Sequence, residues 1–230
     1  MHIKQKSSSW SFEGIANKFV AHAIRSIPGY TIGHDIIVQY SDFFCSRPTT
    51  VMDIGSSTGL LLGKIAERHP DKADLRMMGV EQIADMHSYA VENATDSRIS
   101  FIQDSIENVE FPASNLVISY YTMQFVSPAV RQATIQRIYD NLDWGGAFIL
   151  FEKVRGADAR FQDYASQIYM DFKLENEFNE EEILNKTKSL KGVMEPFSTA
   201  GNYELLQRAG FVDTTTIFKW VCFEGILAIK

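Results

Sequence analysis

From Thr49 onward the chain alternates short, continuously apolar runs with longer amphipathic ones, and this alternation limits the fold more than any other feature. Val51–Ile54, Leu75–Val80, Ile99–Gln103, Leu116–Tyr121 and Ala147–Phe151 have the length and apolar character of strands. Leu60–Arg68, a stretch after Glu81 to about Asn93, and Ser127 to Leu142 have helical character, the last with Ser127 as N-cap and Pro128 at the first helical position. Strands without polar alternation are buried on both faces. The stable arrangement is a parallel sheet with helices on both sides and right-handed crossovers. The spacing therefore predicts an α/β chain.

The flanks read differently. Residues 1–10 form a polar, Ser-rich stretch with Ser7–Ser9 at its centre. Ile15, Phe19, Ala23 and Ile27 make a period-four stripe that predicts a helix ended by Pro28-Gly29. A second helix is expected over Gly33–Phe44, stopped by Arg47-Pro48. From Gly156 to about Leu190 the chain is rich in charge and aromatics and predicts two inserted helices. Phe161, Tyr164, Ile168 and Phe172 read as their packing stripe, and Glu180-Glu181-Glu182 as a solvated helix start. Tyr203–Ala209 reads as a last helix capped by Gly210, followed by strands at Val212–Lys219 and Val221–Ile229. The expected organisation is 1–48 as tail and helices, 49–155 as core, 156–198 as a helical lid, and 199–230 as the helix and hairpin that complete the core.

The chemistry-bearing segment is Asp53-Ile54-Gly55-Ser56-Ser57-Thr58-Gly59, at a strand end that opens a helix. Gly55 and Gly59 allow close backbone approach, and the free N–H groups of the helix start suit an anionic group. The D-x-G-x-x-x-G spacing is neither the dinucleotide fingerprint nor a P-loop. Glu81 ends the next strand, with Gln82 beside it, where an acid can accept both hydroxyls of a ribose. Asp104-Ser105-Ile106 follows the third strand, and Tyr120 and Tyr121 close the fourth. All stand at carboxyl ends of parallel strands, where open α/β sheets bind ligands.

Charge and cysteines narrow the function. Twenty-two basic against 29 acidic residues give a net charge of −7, which lacks the basic field of non-specific nucleic-acid binding. Cys45 and Cys222 make no disulfide framework and fit a reducing compartment. Neither CxxC nor HExxH occurs, so no metal is expected. No apolar run is long enough to span a bilayer, and residues 1–10 lack a signal peptide's apolar core. The expectation is a soluble cytoplasmic protein.

Together, the Gly-rich turn, Glu81 and Asp104-x-Ile106 resemble the class I S-adenosylmethionine-dependent methyltransferases. That resemblance implies a Rossmann-like seven-stranded sheet, mostly parallel with a C-terminal antiparallel hairpin. It also implies S-adenosyl-L-methionine as cofactor and S-adenosyl-L-homocysteine as product. Arg25-Ser26-Ile27-Pro28-Gly29-Tyr30, Met123-Gln124-Phe125-Val126, Arg131-Gln132-Ala133, Gly145-Gly146-Ala147, Glu152-Lys153, Asp171-Phe172-Lys173 and Leu190-Lys191-Gly192-Val193-Met194 sharpen it. From about Trp10 to Lys230 the chain is similar to the bacterial carboxy-S-adenosyl-L-methionine synthases. These move a carboxyl group from prephenate onto S-adenosylmethionine in the wobble-uridine pathway without touching RNA, and the resemblance suggests a homodimer.

The resemblance implies cofactor contacts from Tyr30, Asp53, Gly55, Ser56, Ser57, Gly59, Glu81, Gln82, Asp104, Ser105, Ile106 and Tyr120. Two departures stand out: Tyr120 replaces the family's Asn, and Thr187, between Lys186 and Lys188, falls where the family places the Arg that pairs with the added carboxylate. Thr provides no bidentate cation. The expectation is therefore an enzyme that uses ordinary S-adenosylmethionine to methylate a small-molecule acceptor, with the carboxylating reaction and a non-catalytic nucleoside-binding module as alternatives. Candidate catalytic residues are Tyr120, Tyr121, Gln124, Glu152 and Lys153, supported by Tyr164 and Tyr169 from the lid. Tyr faces stabilise a sulfonium, and a base is needed where the acceptor carries a proton. His34 is the histidine nearest Tyr30.

Overall fold

A computed structural model describes residues 14–45 and 48–230. The expected tail at residues 1–10 and Arg47 lie outside the described residues. Two helices lead in: α1 (Ala16–Ser26) and α2 (Tyr30–Phe44). The alternating core follows as β1 (Thr49–Ile54), α3 (Leu60–Arg68), β2 (Leu75–Val80), α4 (Ala84–Asn93), β3 (Ile99–Ile102), β4 (Ser114–Tyr120), α5 (Pro128–Asn141) and β5 (Leu142–Lys153). Helices α6 (Ala159–Glu175) and α7 (Glu180–Ser189) form the insertion, and α8 (Thr199–Ala209), β6 (Asp213–Trp220) and β7 (Phe223–Ile229) close the chain.

The sheet has seven strands in the order β3-β2-β1-β4-β5-β7-β6. The first five pair in parallel, and β7 runs antiparallel to both β5 and β6. This is the seven-stranded, mostly parallel arrangement with a closing hairpin that the sequence predicts. Strand period two divides the core. Val51, Leu116, Ile118, Ile149 and Phe151 face α2, α3 and Ala165 of α6, whereas Met52, Ile54, Val117, Phe148 and Leu150 face α5 and α8. Consecutive strands move outward from β1 to β3, then resume at β4 on the other side of β1. The carboxyl ends of β1 and β4 therefore flank a crevice, the switch point at which such sheets take ligands.

Local chemistry sets the boundaries. Ser127 caps α5 by accepting from the Ala129 N–H, and Gly210, in the left-handed conformation, ends α8. Helix α2 starts at Tyr30 rather than Gly33, because left-handed Gly29 serves as its N-cap directly after α1 ends. The turn expected at Gly145-Gly146 is instead a kink inside β5, where the Gly145 N–H donates to Lys230 O and the Lys230 N–H to Gly146 O. A short 3-10 turn at Met123–Phe125 was not foreseen. Among the described residues no helix is long and apolar enough to cross a membrane.

Candidate active site

A cavity of 1230 Å³ opens at the carboxyl ends of β1 and β4 and runs under α6 and α7. Its inner wall is the Gly-rich turn. Asp53 ends in a buried carboxyl whose Oδ1 has no partner, and the Ser56 hydroxyl is likewise buried and unpartnered. Burial, then the neighbouring Glu81 charge, raises Asp53 to about 7. Gly55 adopts φ +72°, and a Cβ there would strike the Thr122 side chain. The backbone can thus pass close to a ligand only as glycine. Glu81 is tied to the same turn: Oε2 accepts from the Ser57 N–H at 2.9 Å and Oε1 from the Ile83 N–H at 2.8 Å. Burial raises its pKa against these bonds. Each oxygen keeps a lone pair for a hydroxyl donor. Gln82, Asp104 and Ile106 line the same wall. Asp104 Oδ1 accepts from the Ser105 N–H and from Asn108 Nδ2.

Two expected cofactor residues stand behind this wall rather than on it. Left-handed Gly59 is pressed against the Phe101 ring, so its missing Cβ serves the packing of α3 on the sheet. Ser105 spends its backbone on the turn to Asn108 and Val109.

Aromatic rings form the cavity floor. Tyr30, His34 and Tyr120 pack mutually as tilted and edge-to-face rings, with centroids 4.6–5.3 Å apart. The Tyr120 hydroxyl donates to Tyr30 O at 2.5 Å, so that phenol is committed to holding α2 against β4. Burial lowers His34 to about 4, which leaves it a neutral ring. Tyr121 differs. It is buried in the left-handed region at φ +60°, and its hydroxyl has no partner. Such strain in a non-glycine residue gathers at functional sites. Burial, then the Glu152 charge, pushes its phenol above the ordinary value, so it is a donor rather than a base.

Gln124 clamps this floor. Its Nε2 donates to Tyr121 O and its Oε1 accepts from the Lys153 N–H. Glu152 corrects the expectation of a rim acid. It points to the α5 side of the sheet, is fully buried with its Oε1 unpartnered, and lies against the backbone N–H groups of Gln124 and Met123, which favour its charged form. It braces the 3-10 turn from behind and does not line the cavity. Burial raises it to about 8, partly offset by the charge of Arg131.

The lid supplies what the sequence did not reveal. Lys153 Nζ and Lys173 Nζ each lie 4.2 Å from the centroid of the Tyr169 ring. Lys186 from α7 lines the same space. Burial first, and a neighbouring lysine second, lowers Lys173 to about 8 and Lys186 to about 7. The Tyr169 hydroxyl donates to Ser26 O at 2.9 Å, and Arg25 donates to Asn176 O and Glu177 O while covering the Phe178 ring. The end of α1 thereby straps the α6–α7 corner over the cavity. Of the other two lid positions, Thr187 donates its hydroxyl to Ile183 O in its own helix, and exposed Tyr164 lies on the outer side of α6.

Residues 51–146 match the model of a methyltransferase domain. A carboxy-S-adenosyl-L-methionine synthase of Staphylococcus epidermidis is 37% identical over 223 residues, 96% of this chain and 97% of that protein. The chain belongs to the carboxy-S-adenosyl-L-methionine synthase family. A relative of the same name from Campylobacter lari is 30% identical over 94% of this chain and 92% of its own length. Human N-acetylserotonin methyltransferase in complex with S-adenosylmethionine superposes with a TM-score of 0.61 at 16% identity, over 92% of this chain and 55% of that one. A putative O-methyltransferase from Nostoc punctiforme gives 0.64 at 18%, over 94% and 59%. These structures share the fold. The family member described here is an S-adenosylmethionine-dependent enzyme of the methyltransferase class. Its residues fit that cofactor: unpartnered oxygens on Asp53 and Ser56 at the Gly55 turn would suit its amino-acid moiety, and the spare lone pairs of Glu81 would suit its ribose hydroxyls.

Proposed function

We propose that this enzyme makes carboxy-S-adenosyl-L-methionine, taking the carboxyl group from an acid donor. Prephenate is the donor that the family resemblance implies. The observation that carries this reading is the cationic chamber of Lys153, Lys173 and Lys186 around Tyr169, in the cavity that also holds Asp53 and Glu81. Desolvated lysines with depressed pKa values gain most from an anion, because its charge restores theirs. An uncharged acceptor has no use for three half-buried amines.

S-adenosylmethionine supplies a methyl carbon activated by its sulfonium. The chain's own residues do the rest. Asp53 and the Gly55 turn hold the amino-acid end, Glu81 holds the ribose, and Tyr121 offers an unpartnered phenol in the cavity that Lys153 also lines. The lysines hold carboxylates, and α6 and α7 exclude water. In this reading Lys153, Lys173 and Lys186 replace the cation missing at Thr187.

Methyl transfer to a small acidic acceptor is the second reading, and Thr187 favours it. Mass spectrometry of the ligand released from protein expressed in cells separates the two. A cofactor heavier than S-adenosylmethionine by one carbon dioxide unit is the expected result. S-adenosylmethionine and S-adenosylhomocysteine alone, with no carboxylated product on adding prephenate, would leave methyl transfer as the function. We also propose a homodimer whose contact includes the exposed Phe161, Tyr164 and Ile168 of α6.

A further inference from the structure

Two amines and one ring dominate the lid half of the cavity. Lys153 reaches Tyr169 from β5 and Lys173 reaches it from within α6, at equal distances from the ring centroid. Lys186 adds a third amine from α7 in the same cavity, close enough to Lys173 for that charge to lower its own pKa. The ring that both Lys153 and Lys173 approach is fixed, because its hydroxyl is bonded to the end of α1. Among the described residues, no carboxylate stands within ion-pair reach of Lys153 or Lys173. Like charges crowded in a desolvated space do not all remain protonated, and a neutral lysine amine is a nucleophile for carbonyl carbon.

We propose that Lys173 forms a reversible imine with an α-keto acid whose carboxylate is held by Lys153. The lone pair of Lys173 Nζ attacks the keto carbon, and the carbonyl oxygen takes up a proton to become a hydroxyl. Nζ gives up its remaining hydrogens as C=N forms and the hydroxyl leaves as water. No oxidant or reductant is consumed. The ligand class follows from the layout: a cation for the carboxylate and an amine for the adjacent carbonyl, both at one flat ring. Lys173 is singled out by sharing the Tyr169 ring with Lys153, the cation for the carboxylate. The inference rests on the proposed function only in that the donor acid enters this chamber. It goes beyond that function in giving the enzyme a covalent hold on the keto side chain, which prephenate carries.

Incubation of the folded enzyme with pyruvate and sodium cyanoborohydride, followed by peptide mass spectrometry, tests it. The expected result is a carboxyethyl group on Lys173, at a yield well above that of surface lysines. Acetone, which has no carboxylate, should label far less. Lys153→Gln should lower the pyruvate adduct about tenfold, the worth of roughly 1.4 kcal/mol of anion binding. Lys173→Arg, which keeps the charge, should abolish it. Labelling spread evenly over the lysines, or labelling of Lys173 unchanged in Lys153→Gln, would overturn the proposal. The two readings fail separately: carboxylated cofactor formed without any trapped adduct removes the imine alone, and an adduct without carboxylated cofactor removes the proposed function alone.

Discussion

Adjacent residues of one strand play opposite parts here. Glu152 and Lys153 are neighbours in β5, yet Lys153 enters the cavity and Glu152 is buried on the other face beneath the 3-10 turn. Period two alone separates them, so the pair could have been split from the sequence; reading them as one rim pair overlooked that alternation. Burial also fixes a pH response. Glu152 has a folded-state pKa of about 8 against an ordinary 4.5. Between those values the folded protein keeps a proton that the unfolded chain releases. Stability from this group is therefore complete below the unfolded value and is lost as pH rises toward 8, at about 1 kcal/mol per pH unit. Glu152→Gln should remove that slope. Urea midpoints from pH 5 to pH 8 check it, and an equal slope in both proteins would refute the assignment.

Among the elements, the parallel core was legible and the lid's contribution was not. Doubly buried strands leave continuous apolar runs, and the Asp53–Gly59 turn, Glu81 and Asp104 follow such runs directly, so their common edge could be read from order alone. Lys173 and Lys186 entered only through the family resemblance, Lys173 in Asp171-Phe172-Lys173 and Lys186 beside Thr187, and nothing in the spacing joined them. A lysine on an amphipathic helix reads as solvated, and only the fold of α6 and α7 over β5 turns both toward Lys153. The 3-10 turn at Met123–Phe125 was equally hidden, because three residues show no period. The strap from α1 to the α6–α7 corner leads to a test at this scale. Arg25 contributes two hydrogen bonds to backbone carbonyls from a partly exposed position. Arg25→Ala should lower the local opening free energy of residues 172–178 by about 1 kcal/mol. Amide exchange there should quicken several-fold while exchange in β1 and β4 is unchanged. Equal protection in both proteins would mean that Tyr169 alone holds the corner.

For the molecule as a whole, the acidic charge and the cationic chamber are complementary facts. The chain carries a net charge of −7, while three lysines line one cavity, so the proposed function has anions drawn by the chamber and not by a general field. The dimer proposal belongs to this scale. Light scattering should give twice the 26.1 kDa of one chain, and Phe161→Glu combined with Ile168→Glu should give one chain's mass with the fold kept by circular dichroism. A wild-type protein of single-chain mass would end that proposal.

The position of β7 has a further consequence, for the time course of folding. The last strand in chain order is an inner strand, buried nearly throughout and paired on both sides. Until it is in place, β5 has an open edge and β6 has nothing to join. Non-local pairing of this kind is slow, and an unpaired apolar edge invites aggregation while it lasts. A ribosome making this chain therefore displays Ile149 and Phe151 on a half-built sheet for the whole stretch from Phe151 to Phe223, and the growing chain is at its most chaperone-dependent just before synthesis reaches Phe223.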